Sequence, residues 1–162
     1  MFRYSIQAGL ACGVLLFCGL VSWYEGSALL DDPYDWKYTL FFTPLFQGGM
    51  EHVEGISEIS QLDYFVYAAK YKPLFPMIML FVAFYLAILT GYKFLGKAKT
   101  AFSIFLLVLG VISSSLSIFI LDSPTHGGEL LSFVFICSGI GFLVAAGVYY
   151  FNLLERFYRK LT

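Results

Sequence analysis

Ile6 to Leu29 reads IQAGLACGVLLFCGLVSWYEGSAL, and its only charged residue is Glu25, near the end. A bilayer-crossing helix needs about 20 mostly apolar residues to span about 30 Å of hydrocarbon, and it is helical because every backbone polar group must be satisfied inside the segment. Three further stretches meet the same requirement without any charge: Leu74 to Tyr92 (LFPMIMLFVAFYLAILTGY), Ala101 to Leu121 (AFSIFLLVLGVISSSLSIFIL) and Leu130 to Leu154 (LLSFVFICSGIGFLVAAGVYYFNLL). The expected fold is therefore an all-α membrane protein: one membrane domain over residues 1–162, built as a four-transmembrane-helix bundle with spans of about 6–29, 74–92, 101–121 and 130–154. Arg3 ahead of the first run and Gly26-Ser27-Ala28 behind it also suit a secretory signal, but its apolar run is longer than the usual 7–15 residues.

Composition agrees. Of 162 residues, 59% are hydrophobic and only 13% charged, and mean hydropathy is +0.78; a water-soluble domain carries about 25% charged residues. The net charge of -1 hides an asymmetry. With four spans both termini share a side, and that side holds Arg3, Lys93, Lys97, Lys99, Arg156, Arg159 and Lys160 against one acid, Glu155. The other side has three lysines and ten acids. The positive-inside rule puts both termini in the cytoplasm of a multi-pass plasma-membrane protein.

Helices in lipid associate through close packing and interhelical hydrogen bonds. Small residues at helical spacing mark the expected seams: Gly9 and Gly13 in the first span, Gly110 with Ser114 and Ser113 with Ser117 in the third, and Cys137, Gly141 and Ala145 in the fourth. Such sets serve packing within the chain or a homo-oligomer equally well. Pro73 and Pro76 fall before or within the first turn of the second span, where a missing amide costs little.

The connection of about 30–73 is the long outer loop. WKYTLFFTPLF suggests a strand or a membrane-hugging segment, and QGGMEHVEG a turn. An interfacial helix is expected over about 57–71, capped by Ser57 with Glu58 in its first turn. Its apolar face would be Ile59, Leu62, Val66 and Ala69 beside Phe65, with Tyr64, Tyr67 and Tyr71 as a second stripe. From Glu25 through Lys72 eight acids face three lysines, a net charge of -5, which disfavours nucleic acid and anionic headgroups as partners and suits cations or a basic partner. Trp23 and Tyr24 suit the headgroup level. With Glu25, Asp32, Asp35, Trp36, Tyr64, Tyr67 and Tyr71 they form the candidate interaction surface for a membrane or extracytoplasmic protein partner.

Chemistry is sparse. Asp31, Asp32 and Asp35 offer oxygen ligands but not an EF-hand spacing. His52, between Glu51 and Glu54, and His126, between Asp122 and Glu129, would make a zinc site only if the two outer loops met. Cys12, Cys18 and Cys137 lie in apolar runs without a neighbouring base. No nucleophile elbow, HExxH or phosphate loop occurs, and no acid sits mid-span as a proton relay. The expectation is a non-enzymatic protein without a cofactor or metal, an accessory or protein-interaction subunit using its acidic outer loop. The alternative is a small transporter or channel component, possible as an oligomer, using the polar third span.

Two stretches carry a resemblance: SWYEGSALLDDPYDWKYT (Ser22 to Thr39) and LDYFVYAAKYKPLFPMIML (Leu62 to Leu80). Through Trp23, Glu25, Gly26, Trp36, Asp63 and the PLFP segment, roughly the first 95 residues resemble a family of small uncharacterised integral membrane proteins from Bacillus-type bacteria. The resemblance implies a Gram-positive plasma membrane and no assigned activity. Four spans with a long first outer loop are similar to claudins in topology only, since their paired loop cysteines are missing here.

Overall fold

A computed structural model describes residues 2–31, 33–48 and 55–152, and all its regular elements are helical. Helix α1 spans Phe2–Gly26 and continues through short 3-10 turns at Ser27–Asp31 and Pro33–Asp35. Two short helices follow, α2 (Trp36–Thr39) and α3 (Phe42–Gln47), then a 3-10 turn at Ile56–Glu58 and α4 (Gln61–Tyr71). The long helices α5 (Leu74–Leu95), α6 (Lys99–Ile120) and α7 (His126–Tyr150) complete the chain. Helices α1, α5, α6 and α7 are long and apolar enough to cross a membrane.

At WKYTLFFTPLF the structure has no strand, one of the two expectations there, but the short helices α2 and α3, joined at the extended residue Leu40. The expected loop helix starts at Gln61 rather than near Ser57. Ser60 is its cap, its hydroxyl accepting from the Leu62 amide at 3.3 Å.

The chain forms two compact units. The first comprises Met1–Ala83 with Thr125–Gly128, the second Phe84–Pro124 with Glu129–Thr162. In the first, α4 packs along the C-terminal part of α1. Gly26 permits this, because a Cβ there would run into the Tyr64 carbonyl. The buried line of α1 is Ala11, Cys18, Ser22 and Gly26. Gly9 and Gly13, the expected seam, have nothing within 4 Å of where a Cβ would stand. The first turns of α5 reach α1 through Phe75 against Phe17 and Met79 against Ser22. Leu29, Leu40, Ile59 and Tyr64 form the core of the segment between α1 and α5, named the outer segment for its expected side, with Leu30, Trp36 and Tyr67 packed against it. At the turn between α6 and α7, a Cβ on Gly127 would collide with the Ala69 and Lys70 carbonyls at the end of α4.

In the second unit α6 and α7 run antiparallel. Ser103, Gly110 and Ser117 are buried on α6, and Ser132, Gly139 and Ala146 on α7, each seven residues from the next. A Cβ on Gly110 would lie 3.0 Å from the Gly139 carbonyl oxygen. One on Gly139 would strike the Ser114 hydroxyl, so Gly110 and Ser114 both stand at this crossing. One turn further, Ser117 Oγ donates to the Ser132 carbonyl at 2.8 Å and Ser132 Oγ to the Ser117 carbonyl at 3.1 Å. The set expected on α7 is not the one that meets α6: Cys137, Gly141 and Ala145 are exposed in the single chain, and Gly141 has open space beside it. At about 100° per residue, Gly141 points roughly 200° away from Gly139. The fourth span carries two small-residue lines, and the partner helix takes the one that continues into Ser132.

Overpacking a close crossing costs about 1–3 kcal/mol. Gly139→Leu should lower the melting temperature in detergent and Gly141→Leu should not. Equal effects in thermal denaturation would contradict the assignment of the α6–α7 crossing.

Candidate functional site

The outer segment is organised by a buried carboxylate. Asp63 lies in the first turn of α4 with no exposed surface. Its Oδ1 accepts from the Phe41 and Phe42 amides, each at 2.8 Å. Its Oδ2 accepts from the Thr43 amide at 2.8 Å and the Thr43 hydroxyl at 2.6 Å. The first amides of a helix have no partner within it; α3 has its first amides satisfied by an acid twenty residues further along the chain. A negative charge there also meets the positive end of the α3 dipole. The Thr43 hydroxyl in turn accepts from the Ser60 amide at 2.7 Å. One threonine thus ties the start of α3 to the residue that caps α4.

This anchor corrects the expected face of α4. The buried residues are Asp63, Tyr64 and Ala68, whereas Leu62 is 45% exposed. Hydrophobicity alone puts Leu62 inside and Asp63 outside. Four donors reverse that order, since a fully hydrogen-bonded carboxylate tolerates burial. Tyr64 follows Asp63 inward, 6.4 Å from the Trp23 ring, and is therefore no partner-facing residue.

Further bonds fix the rest of the segment. Trp36 Nε1 donates to the Leu29 carbonyl at 2.9 Å. Lys70 Nζ donates to the Tyr38 carbonyl, and Gln47 Nε2 to the Glu58 carbonyl at 2.9 Å. The Tyr71 hydroxyl donates to Asp35 Oδ1 at 3.0 Å, and its ring lies 4.7 Å from that of Tyr67. Desolvation holds the Lys70 amine below its ordinary pKa. Desolvation, then the hydrogen bond to Asp35, raises the Tyr71 phenol. A phenol kept neutral in this way adds stability below its ordinary pKa and loses it as pH climbs through the raised value.

Trp36, Tyr67, Tyr71 and Asp35 are thus brought together, and the candidates differ in exposure. Trp23 is 40% exposed, Tyr24 is exposed and Glu25 half-buried. Asp31 is exposed and Asp35 half-buried; Trp36 and Tyr67 are partly buried and Tyr71 is 40% exposed. Asp32 and His52 lie outside the described residues. His126 is exposed at the start of α7. Among the described residues no three His, Cys, Asp or Glu side chains group as metal ligands. The sequence reading missed Asp63 and Thr43 as a pair. The available signal was an acid on the inner flank of α4 together with an uncharged Phe-Phe-Thr-Pro that needed a cap.

Hydrogen bonds to a charged group contribute about 1.5–3 kcal/mol each, and removing one partner leaves the others buried and unmet. Asp63→Ala should therefore destabilise the outer segment by on the order of 3 kcal/mol or more. Asp35→Asn should stay within about 1 kcal/mol, as exposed pairs do. Hydrogen exchange of the amides of Phe41 to Thr43 reads the difference: they should lose protection in the first variant and keep it in the second.

Residues 5–95 match the model of a domain of unknown function, DUF4306. A relative in Bacillus subtilis (strain 168), the uncharacterized protein YjdJ, is 40% identical over 75 residues, which cover 46% of this chain and 68% of that protein. No solved structure matches the chain. The matched range takes in α1, the whole outer segment with its Asp63 anchor, and α5, and the resemblance to a Bacillus-type family holds: this chain belongs to the DUF4306 family.

Proposed function

We propose that this is a non-enzymatic, multi-pass plasma-membrane protein with both termini in the cytoplasm. In this reading it is an accessory subunit that contacts a membrane or extracytoplasmic protein partner through its acidic outer segment. The observation that carries the proposal is how that segment is built. Its polar groups turn inward, to Asp63, Thr43 and Ser60. Outward it presents Asp31, Tyr34, Lys37 and Tyr38, and the apolar Phe41, Leu45 and Phe46 at about two-thirds exposure. Aromatic rings among charges on a pre-organised scaffold are what protein interfaces favour. The acid excess suits a basic partner.

The alternative, a small transporter or channel component, would draw on the serines of α6. Ser117 is committed to Ser132 on α7, and Ser113 is buried, which fits packing better than a wet path.

Crosslinking in native membranes followed by mass spectrometry is the direct test, with one reproducible partner expected at the outer segment. The double change Asp31→Asn and Asp35→Asn should weaken its recovery more at low salt than at high salt, because salt already screens exposed charges. A salt-independent loss would count against electrostatic recognition. In a cysteine-free background, Ser57→Cys and His126→Cys should react with an impermeant maleimide on intact cells and Ala98→Cys should not; the reverse pattern would overturn the orientation.

A further inference from the structure

The family match ends at residue 95, with the end of α5. The division into compact units falls earlier, between Ala83 and Phe84. The last twelve residues of the matched domain thus pack with α6 and α7, which lie outside it. Phe84 meets Phe142 and Phe135 edge-to-face, with ring centroids 5.1 and 6.2 Å apart. Gly91 is buried, and a Cβ there would come within 2.5 Å of the Phe105 ring. Leu95 packs on the cluster of Phe102, Leu106 and Ala146. Residues 84, 91 and 95 are seven and four apart, one stripe of one helix.

The helices covering that stripe also hold each other directly. Glycines meet at Gly110 and Gly139, and Ser117 and Ser132 satisfy each other's hydroxyls and carbonyls. Lys99 Nζ closes the other end by donating to Asn152 Oδ1 at 2.8 Å. Only residues 96–98 separate α5 from α6. A ready-made hairpin on a short tether is seated on the end of the family domain. Helices in lipid have no hydrophobic drive to associate, so fit and ring contacts determine such a seat.

We propose that the Phe84–Gly91–Leu95 stripe of α5 is a docking surface of the family domain for a membrane helical hairpin, and that α6–α7 is its occupant, a partner carried on the same chain. Gly91 is the notch and Phe105 the ring that fills it. The surface selects an antiparallel pair of apolar helices offering aromatic side chains at both ends of the stripe. The proposal stands apart from the outer-segment reading, since it needs no second protein.

The test uses the full chain with a specific protease site inserted between Gly96 and Ala98 and an affinity tag at the N-terminus. The protein is folded, purified in mild detergent, cleaved and captured on the tag. The α6–α7 fragment should be retained after cleavage. Gly91→Leu should lower its recovery several-fold, and Phe105→Ala, which empties the notch without a clash, should do so as well. Ile112→Ala, on an exposed part of α6, should behave as wild type. Release of the wild-type hairpin on cleavage would overturn the proposal. If Gly91→Leu aggregates before cleavage, Phe105→Ala decides: recovery equal to wild type would overturn the proposal as well. Loss of an outer partner in crosslinking would leave this result untouched, and the reverse also holds.

Discussion

A carboxylate removed from water must have its hydration replaced donor for donor, and Asp63 meets that demand from a single run, Phe41 to Thr43. The rotation of α4 follows, because the helix must turn Asp63 toward those amides. So does the seating of α3, whose first turn has no cap of its own. Tyr64 is carried into the crossing with Gly26, and Ser60 is brought within reach of Thr43. Desolvating a charge is expensive, and its arrangement of donors leaves few alternative registers. The gain is specificity of geometry in a segment with a small apolar core.

The long helices were legible because their length and lack of charge leave few alternatives in any solvent. Their ends fall within about four residues of those expected from the apolar runs. The outer segment was legible only in part. Helices of four and six residues are too short to show a period, and α3 gets its cap from far along the chain, so local reading of WKYTLFFTPLF had no purchase. On α4 the spacing rule found the helix but put Leu62 where Asp63 belongs, because hydropathy ranks side chains without knowing their donors. On α1 and α7 small residues at helical spacing do not say which of them meet a neighbour, because each helix carries two such lines. Ala11 and Cys18 rather than Gly9 and Gly13, and Gly139 rather than Gly141, face a neighbour. That choice depends on the other helix.

Close backbone approach recurs as the joining device. Gly26 admits the Tyr64 carbonyl, Gly127 the end of α4, and Gly110 and Gly139 admit each other. These contacts rest on dispersion and shape, which act in lipid as well as in water. The outer segment instead uses charge-assisted hydrogen bonds, which strengthen where water is excluded. The two kinds of joint divide along the chain much as apolar and polar surroundings would.

The three cysteines differ in a way that gives experimental access to the molecule. Cys18 is buried in the α1 seam, whereas Cys12 and Cys137 are exposed on faces that no described helix covers tightly. Thiol reagents act on the thiolate, so a face that meets water should label at Cys12 or Cys137 and one that meets lipid should not, while Cys18 stays shielded in either case. The native chain therefore carries two reporters of what each helix face meets, one on α1 and one on α7. Labelling reads the surroundings of each compact unit by itself, with no engineered site and no packed residue disturbed.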